Sequence, residues 1–279
     1  MNFDKNHVAR KKSIPTGTRI FRRISLTALK IFLVLLLFCV ILGTAAGVGM
    51  IKGLIASAPN IDSLSVAPAE SATYIYNTGN KPVQTLAEST SNRIHVKLDQ
   101  IPEDMQHAIV AVEDERVYKH HGIDIQGIAR AAVIGITSGD FSEGASTITQ
   151  QLIKNNVFTD WVTQTALSQK LRRKFQEQYL ALQLEKKMSK DQILQDYLNT
   201  INLGASSYGV QAAAKRYFNK DVSQLNLSES TVIAGITQNP TLYNPIINPD
   251  ENAKRRKIIL QKMVDQGYIS EQQQQDALA

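Results

Sequence analysis

The run from Glu113 to Asp124, EDERVYKHHGID, concentrates ionisable side chains more densely than any other part of the chain. It begins with three consecutive carboxylates and adds an arginine, a lysine and two histidines. Gly122 suits the position just after a helix C-terminus, so the run is predicted to lie at a helix end. Groups packed this closely can perturb one another's proton affinities, as acid–base catalysis requires. The alternative is a solvated helix end, and the run alone does not decide between the two.

A second cluster, Gly144 to Gln151, reads GASTITQQ. It predicts a glycine loop leading into a helix that is capped by Ser146 and runs through Lys154. The free N–H groups at such a helix start bind anions, including phosphate. By itself the pattern is equally typical of an ordinary capped helix with polar surface residues.

A third cluster lies in the middle of a long predicted helix. Arg173 and Lys174 precede Glu177 by four and three positions, which places all three on one helix face. Taken alone, such a set forms surface ion pairs worth about 0.2–0.5 kcal/mol each. A fourth cluster, Lys190 to Asn199, contains Tyr197 and Asn199, which are predicted to pack and cap rather than to catalyse.

The elements that must position these clusters are predicted to be almost entirely helical from Ile101 onward. Pro102 starts the first helix, Asp124 caps a second that runs to Gly139, and the long helix covers Thr165 to Lys187. The buried stripe predicted for the long helix consists of Leu167, Leu171, Phe175, Tyr179 and Leu182.

Later helices are predicted from their end signals. Ser189 opens a capping box, Ser228 caps the next helix, and Asn248 or Asp250 caps the one that ends before Gly267. Upstream, Thr73 to Asn80 predicts a strand that runs into a turn, and further short strands are predicted at Val83 to Leu86 and Ile94 to Leu98.

A membrane segment precedes this domain. Ile31 to Met50 is uncharged and, at about 1.5 Å per residue, is long enough to cross a hydrocarbon core of about 30 Å. The first 30 residues carry a net charge of +7, and the rest of the chain, whose total is +6, carries −1. The basic tail therefore places the N-terminus in the cytoplasm and the remainder outside, and gives no reason to expect nucleic-acid binding.

A cleaved signal peptide is the rival interpretation of this segment. Ala56-Ser57-Ala58 resembles a cleavage site, but Pro59 would follow the cut, and the apolar run exceeds the usual h-region of about 7–15 residues. Cys39 is the only cysteine, so the outer part has no disulfide or thiol chemistry. The predicted organisation is a basic cytoplasmic tail, a transmembrane helix, a stalk, a small β linker element and a helical domain, at residues 1–30, 31–52, 53–72, 73–100 and 101–279.

In this order the clusters resemble the motifs of the peptidoglycan glycosyltransferases, found in class A penicillin-binding proteins and in monofunctional transglycosylases. The first motif matches at Glu113, Asp114, His120 and Gly122, with Val117 in place of phenylalanine. The others match at Gly144 and Ser146 to Gln151; at Arg173, Lys174 and Glu177; at Lys190, Ile193, Tyr197 and Asn199; and at Arg256, Leu260 and Met263. Gln195 replaces a frequent glutamate, and Gln169 stands where relatives usually carry a basic residue.

The resemblance implies a mostly α, lysozyme-like domain that polymerises lipid II into glycan strands, releases undecaprenyl pyrophosphate and binds moenomycin. It implies that Glu113 is the general base and that Glu177 acts on the donor side. The implied substrate-binding residues are Asp114, Arg116, Ser146, Gln150, Gln151, Lys154, Arg173 and Lys174, with Asp114 more structural than catalytic. A divalent cation, Mg²⁺ or Mn²⁺, is expected at the pyrophosphate.

The expected partners are lipid II, the growing glycan strand, membrane lipid and other cell-wall synthesis or division proteins.

Two alternatives remain: a membrane-anchored lytic enzyme, which needs one acidic glutamate and no phosphate-binding set, and an inactive scaffold for wall assembly. No Ser-x-x-Lys, Ser-x-Asn and Lys-Thr-Gly series follows, so penicillin-type transpeptidase chemistry is absent from these residues. The β element and the end at Ala279, just inside a helix predicted to begin at the capping box Ser270 to Gln273, indicate the N-terminal part of a longer bifunctional protein.

Overall fold

The structure is a computed structural model that describes residues 16–61, 73–79, 82–86, 93–139, 144–158 and 161–279. For residues 16–24, 73–76 and 82–86 it describes the backbone only. The predicted cytoplasmic tail up to residue 15 and the predicted stalk from 62 to 72 lie outside the described residues. The chain divides into two compact units, residues 1–56 and 57–279.

The first unit contains one long helix, α1, at Thr16–Ala56. Its segment Ser25–Ala56 has a mean hydropathy of 2.8 and is long enough to cross a membrane. It is the only such helix among the described residues, and it includes the predicted span at residues 31–52. Cys39 is a free, exposed cysteine on this helix.

The second unit begins with a hairpin. Strands β1 (Thr73–Tyr76) and β2 (Pro82–Leu86) pair antiparallel, with Thr73 opposite Leu86. These are the first two of the predicted strands, and their role as a linker element stays a prediction.

The third predicted strand, Ile94 to Leu98, is wrong. The backbone there is irregular and ends in a 3₁₀ turn at Leu98–Gln100. Its backbone N–H groups bond to side chains of the helix Lys190–Thr200, α6, instead of to a strand. Val96 N–H donates to Asn199 Oδ1 and Leu98 N–H to Gln195 Oε1, each at 2.9 Å. The alternating pattern reflects an extended segment docked on a helix.

Nine further helices follow in the described part of the second unit. Their bounds are α2 Glu103–Glu113, α3 Ile125–Ser138, α4 Ile148–Val157, α5 Leu167–Leu184, α6 Lys190–Thr200, α7 Val210–Phe218, α8 Leu227–Ile236, α9 Pro249–Asp265 and α10 Glu271–Leu278. Helix α2 packs against α8 and α9, and α4 packs against α5 and α6. The mostly α fold expected from the sequence is confirmed.

One continuous hydrophobic core joins these helices except α3, none of whose residues belongs to it. Met105 and Ile109 of α2, Leu152 of α4, Leu198 of α6 and Ile233 of α8 are all fully buried. Burying an aliphatic side chain of this size contributes about 1.5–3 kcal/mol, so the core holds the first two motif segments in a fixed relation.

The predicted stripe of α5 is correct at Tyr179, which packs against the core, and wrong at its three leucines. Leu167, Leu171 and Leu182 are 71%, 50% and 39% exposed. The buried face instead carries Gln176, Glu177, Leu180, Ala181 and Leu184. Helix α5 thus directs a carboxylate inward, where the hydrophobic pattern predicted only leucines and aromatic residues.

Most predicted caps that bond within one turn are confirmed. Asp124, Ser189 and Ser270 each accept a hydrogen bond from the backbone N–H three residues later, and Gly267 follows α9 with a φ of +76°. Two predicted caps are wrong. Thr147 rather than Ser146 caps α4, and Asn226 rather than Ser228 caps α8. Helix α9 begins after Asn248, whose side chain makes no capping bond.

Candidate active site

The acidic run begins at the last residue of α2, Glu113, and then continues as a loop. Helix α2 ends at Glu113, and residues 114–123 form successive turns. Gly122 is left-handed, with a φ of +83°, but it closes this loop and not the helix. A Cβ atom at Gly122 would lie 2.7 Å from the backbone carbonyl of Ala181, so the loop packs directly on α5.

Glu113, the predicted base, is half-buried and both its carboxylate oxygens accept hydrogen bonds. Gln151 Nε2 donates to Oε2 at 2.8 Å, and the Thr237 hydroxyl donates to Oε1. The Tyr197 hydroxyl in turn donates to Gln151 Oε1 at 3.1 Å, which fixes the orientation of that amide. Burial, with added effects of the Glu113 and Asp114 charges, raises the pKa of Tyr197 well above its usual range, so Tyr197 is neutral.

A cleft of about 420 Å³ opens beside Glu113. Its acidic side includes Glu113, Asp114 and Glu115. Its other walls bring in cationic residues from distant parts of the chain, namely Arg130, Arg255 and Lys262. Gly144, Ser146 and Gln151 of the second motif also line it, so the structure brings the first two motifs together around one cavity.

Asp114 is tied into the scaffold. Its Oδ2 accepts the backbone N–H of Ile148 at 2.9 Å, and both oxygens lie 3.0 Å from His120 Nε2. The first N–H groups of a helix lack partners within the helix, so this carboxylate satisfies one of them at the start of α4. The geometry agrees with a structural part for Asp114.

A polar chain continues from His120 into α6. Lys190 Nζ lies 3.4 Å from His120 Nδ1 and 2.7 Å from Glu185 Oε2, and Thr149 donates to Glu185 Oε1 at 2.5 Å. The chain connects the first, second and fourth motifs through side chains that are mostly withdrawn from solvent.

Arg116 and Glu115 are engaged in separate ion pairs. Arg116 Nε donates to Asp124 Oδ2 at 3.1 Å and lines a different cleft, of about 500 Å³, so the structure does not bring it to the Glu113 cavity. Glu115 pairs with Arg130. Burial alone would raise the pKa of Glu115, but the hydrogen bond and charge of Arg130 outweigh it and lower the pKa.

The third motif forms an ion-paired cluster around Glu177, whose side chain is only 2% exposed. Arg173 binds Glu177 Oε1, and Lys174 Nζ lies 3.5 Å from Oε2. Lys174 Nζ also donates to Ser146 Oγ at 2.6 Å and to Gln150 Oε1 at 3.2 Å. Ser146 precedes the cap residue of α4, Thr147, and its contact with Lys174 joins the second and third motifs into one polar network.

Lys154 lies at the last turn of α4, with its ammonium 4.5 Å from the centre of the Trp161 ring. Burial lowers the pKa of Lys154, and the nearby Lys174 and Arg173 add to this effect while Glu177 and Glu113 oppose it. A half-buried ammonium with little local compensation gains an additional favourable interaction when an anion binds beside it.

The donor set does not fit a metal held by protein ligands alone. Among the described residues no three His, Cys, Asp or Glu side chains converge, and Glu177 is already ion-paired with Arg173 and Lys174. We therefore derive no step through a metal, and the expectation of Mg²⁺ or Mn²⁺ stays a prediction.

Several residues at this site were not predicted from the sequence. Thr237 contacts Glu113, Gln164 accepts from Arg173 Nε at 3.0 Å, and Trp161 lies against Lys154. Each of these three residues lies outside the recognised motifs and contacts a motif residue only in the folded chain. The cationic character of α9 was visible in the sequence, but not that Arg255 and Lys262 reach the cleft.

Comparison with known proteins identifies the family of this chain. A family model described as Transglycosylase matches residues 79–264. The chain therefore belongs to the transglycosylase family, as a peptidoglycan glycosyltransferase domain of the kind that class A penicillin-binding proteins carry.

Individual relatives bear the name penicillin-binding protein 1A or 1A/1B. The protein from Escherichia coli (strain K12) is 41% identical over 88% of this chain, and the one from Bacillus subtilis (strain 168) is 38% identical over 87%. A crystal structure of penicillin-binding protein 1A from Haemophilus influenzae aligns over 76% of this chain and 20% of that one, at 24% identity and a TM-score of 0.41. The chain spans 28% and 25% of the lengths of the E. coli and B. subtilis proteins.

Proposed function

We propose that this chain polymerises lipid II into β-1,4 glycan strands and releases undecaprenyl pyrophosphate. The observation that carries the proposal is the difference between its two glutamates. Glu113 borders an open cleft and is held by two neutral donors, whereas Glu177 is buried between two cations. A general base must come within hydrogen-bond reach of the proton that it takes, which a carboxylate beside an open cleft can do and a carboxylate buried between two cations cannot.

In the proposed reaction Glu113 accepts the proton of the C4 hydroxyl of one sugar while that oxygen attacks the anomeric carbon of another. The bond from the anomeric carbon to the pyrophosphate breaks with inversion of configuration. A positioned carboxylate contributes about 10²–10⁴-fold to such a step. Gln151 and Thr237 hold the carboxylate in place during the transfer.

The leaving pyrophosphate requires positive charge. Lys154, Arg173 and Lys174 gather around Ser146 and Glu177, and they are proposed to bind the phosphates of the donor. Fixed cations in a site with little water stabilise developing negative charge more strongly than solvent does. Glu177 would keep Arg173 and Lys174 oriented rather than take part in proton transfer.

The membrane helix supports the setting of this reaction. We propose that α1 anchors the chain in the bacterial cytoplasmic membrane as a single span, with the basic N-terminus inside and the helical domain outside. The lipid-linked substrate would then lie beside the domain. The relatives named above support the further proposal that the chain is the N-terminal part of a bifunctional protein.

The test is polymerisation of fluorescent lipid II by the purified full chain in detergent. The wild-type chain should produce glycan strands, and Glu113→Gln should lower the rate at least 100-fold while its melting temperature stays unchanged. Glu251→Gln is the matched control and should retain the wild-type rate, because the Glu251 side chain is 42% exposed and pairs only with Lys254 of α9 in the described contacts. Full activity of Glu113→Gln would refute the assignment of the base.

The same preparation separates the lytic and scaffold alternatives. Incubation with preformed glycan should leave the strand length unchanged, whereas a lytic enzyme would shorten it. A folded wild-type chain that produces no polymer from lipid II would favour the scaffold.

A further inference from the structure

The acceptors available to the Thr237 hydroxyl distinguish this residue from the other contacts of Glu113. Thr237 directly follows α8 and is half-buried. Its oxygen lies within hydrogen-bond distance of Glu113 Oε1 and 2.9 Å from the carbonyl oxygen of Ala234. A hydroxyl has one proton to donate, so it can serve only one of these acceptors at a time.

The donor to the other oxygen of the Glu113 carboxylate, Gln151, cannot change its hydrogen-bond partner in this way. Gln151 donates through Nε2, and because Gln151 Oε1 accepts from the neutral Tyr197, the amide cannot reverse its two ends without losing that bond. The Gln151 contact is thus fixed in direction, while the Thr237 contact can alternate.

This alternation matches the two states that a general base passes through. While Glu113 is ionised it is the stronger acceptor, and a hydrogen bond from Thr237 stabilises it. Once Glu113 has taken a proton, the hydroxyl can turn to the Ala234 carbonyl and offer its own oxygen as an acceptor. No buried polar group is left without a partner in either state.

The scaffold holds Thr237 in the required place. Glu113 is the last residue of α2 and Thr237 follows the last residue of α8, and these two helices pack against each other. The end of α8 is fixed further by Asn252, whose Nδ2 donates to the carbonyl oxygens of Val232 and Tyr243 at 3.1 and 2.8 Å.

We propose that Thr237 is a positioning residue of this transferase, which orients the Glu113 carboxylate in its ionised state and releases it after proton transfer. The inference rests on the proposed function, because it assumes that Glu113 acts as the base. Thr237 does not touch the reacting atoms and acts through Glu113.

The test compares three variants of the full chain. Thr237→Val keeps the shape but removes the hydroxyl, and should lower kcat for lipid II polymerisation about 10- to 100-fold with KM within about twofold. Thr237→Ser restores the hydroxyl and should return kcat to within about threefold of wild type. Thr231→Val is the matched control, because Thr231 bonds only to the α8 backbone carbonyls of Leu227 and Ser228 in the described contacts, and it should leave kcat unchanged.

A second measurement does not depend on turnover. In chains labelled with ¹³C at glutamate carboxyl carbons, the Glu113 resonance, identified by its loss in Glu113→Gln, should move in Thr237→Val and stay in place in Thr231→Val. If the wild-type chain makes no polymer but the Glu113 resonance still moves in Thr237→Val, the proposed function is contradicted and the contact between Thr237 and Glu113 is retained. An unmoved resonance, a wild-type kcat in Thr237→Val, or an equal loss in Thr231→Val would overturn the role of Thr237. If Thr237→Val fails to fold, Thr237→Ala takes its place with the same expected results.

Discussion

The Asp114 carboxylate accepts the backbone N–H of Ile148, the first residue of α4, at 2.9 Å. This single bond joins the residue next to the proposed base to the helix that supplies Gln151. It therefore fixes the distance across the cleft between the first and second motifs. The same carboxylate lies 3.0 Å from His120, so both motifs share one buried anchor.

Asp114→Asn should destabilise the domain more than it changes the chemistry. The amide keeps the shape but loses the charge that holds the Ile148 N–H and His120, at an expected cost of about 2–4 kcal/mol in the free energy of unfolding. Thermal unfolding followed by circular dichroism measures this cost. Asp99→Asn, at an exposed position, should have an effect below about 0.5 kcal/mol, and an equally small effect of Asp114→Asn would contradict the anchor role.

Gly122→Ala should also be strongly destabilising, because the new methyl group would meet the Ala181 carbonyl at 2.7 Å. Gly139→Ala is the matched control: Gly139 has a similar φ of +73°, but no atom of the described residues lies within 4 Å of its Cβ position. The control should cost about 1 kcal/mol from backbone strain alone, and Gly122→Ala about 2–4 kcal/mol. Equal losses in the two variants would show that the loop does not pack tightly on α5.

Lys174→Met should impair donor binding. The ammonium joins Ser146, Gln150 and Glu177, and its loss removes both a cation and the contact between the second and third motifs. The expected fall in kcat/KM for lipid II is about 10- to 100-fold, with a reduced thermal shift on addition of moenomycin. Lys170→Met, one turn earlier on the exposed face of α5, should change neither quantity. Normal moenomycin binding by Lys174→Met would argue against a phosphate contact there.

Lys154 provides a prediction about pH. Because burial lowers its pKa below the ordinary 10.5, the folded chain releases this proton at a lower pH than the unfolded chain does. Between the pKa of Lys154 in the folded chain and its pKa in the unfolded chain, the unfolded state binds more protons. The contribution of Lys154 to the free energy of unfolding therefore grows as pH rises. The unfolding free energy of wild type minus that of Lys154→Met should therefore increase as the pH rises toward the ordinary lysine pKa of 10.5.

Chemical denaturation at several pH values measures that difference. Lys170→Met serves again as the control and should show a difference from wild type that is nearly independent of pH. A difference for Lys154→Met that falls as pH rises would reverse the sign and contradict the burial of this ammonium.

The sequence by itself determined the features that depend on neighbouring residues. Asp124, Ser189 and Ser270 were predictable as caps because each bonds to an N–H only three positions away. The apolar length of α1 was equally readable, since crossing a membrane depends on local composition. The motif spacing identified the family and proposed Glu113 as the base.

Only the tertiary structure decided which side chains meet across long separations. Ser146 is a good capping residue by type, yet Thr147 caps the helix and the Ser146 hydroxyl accepts from Lys174, 28 positions away. Thr237 reaches Glu113 across 124 positions because α2 and α8 end at the same place in the packed core. Local propensity acts through hydrogen bonds within a turn, but these contacts depend on how helices pack, which the sequence pattern leaves open.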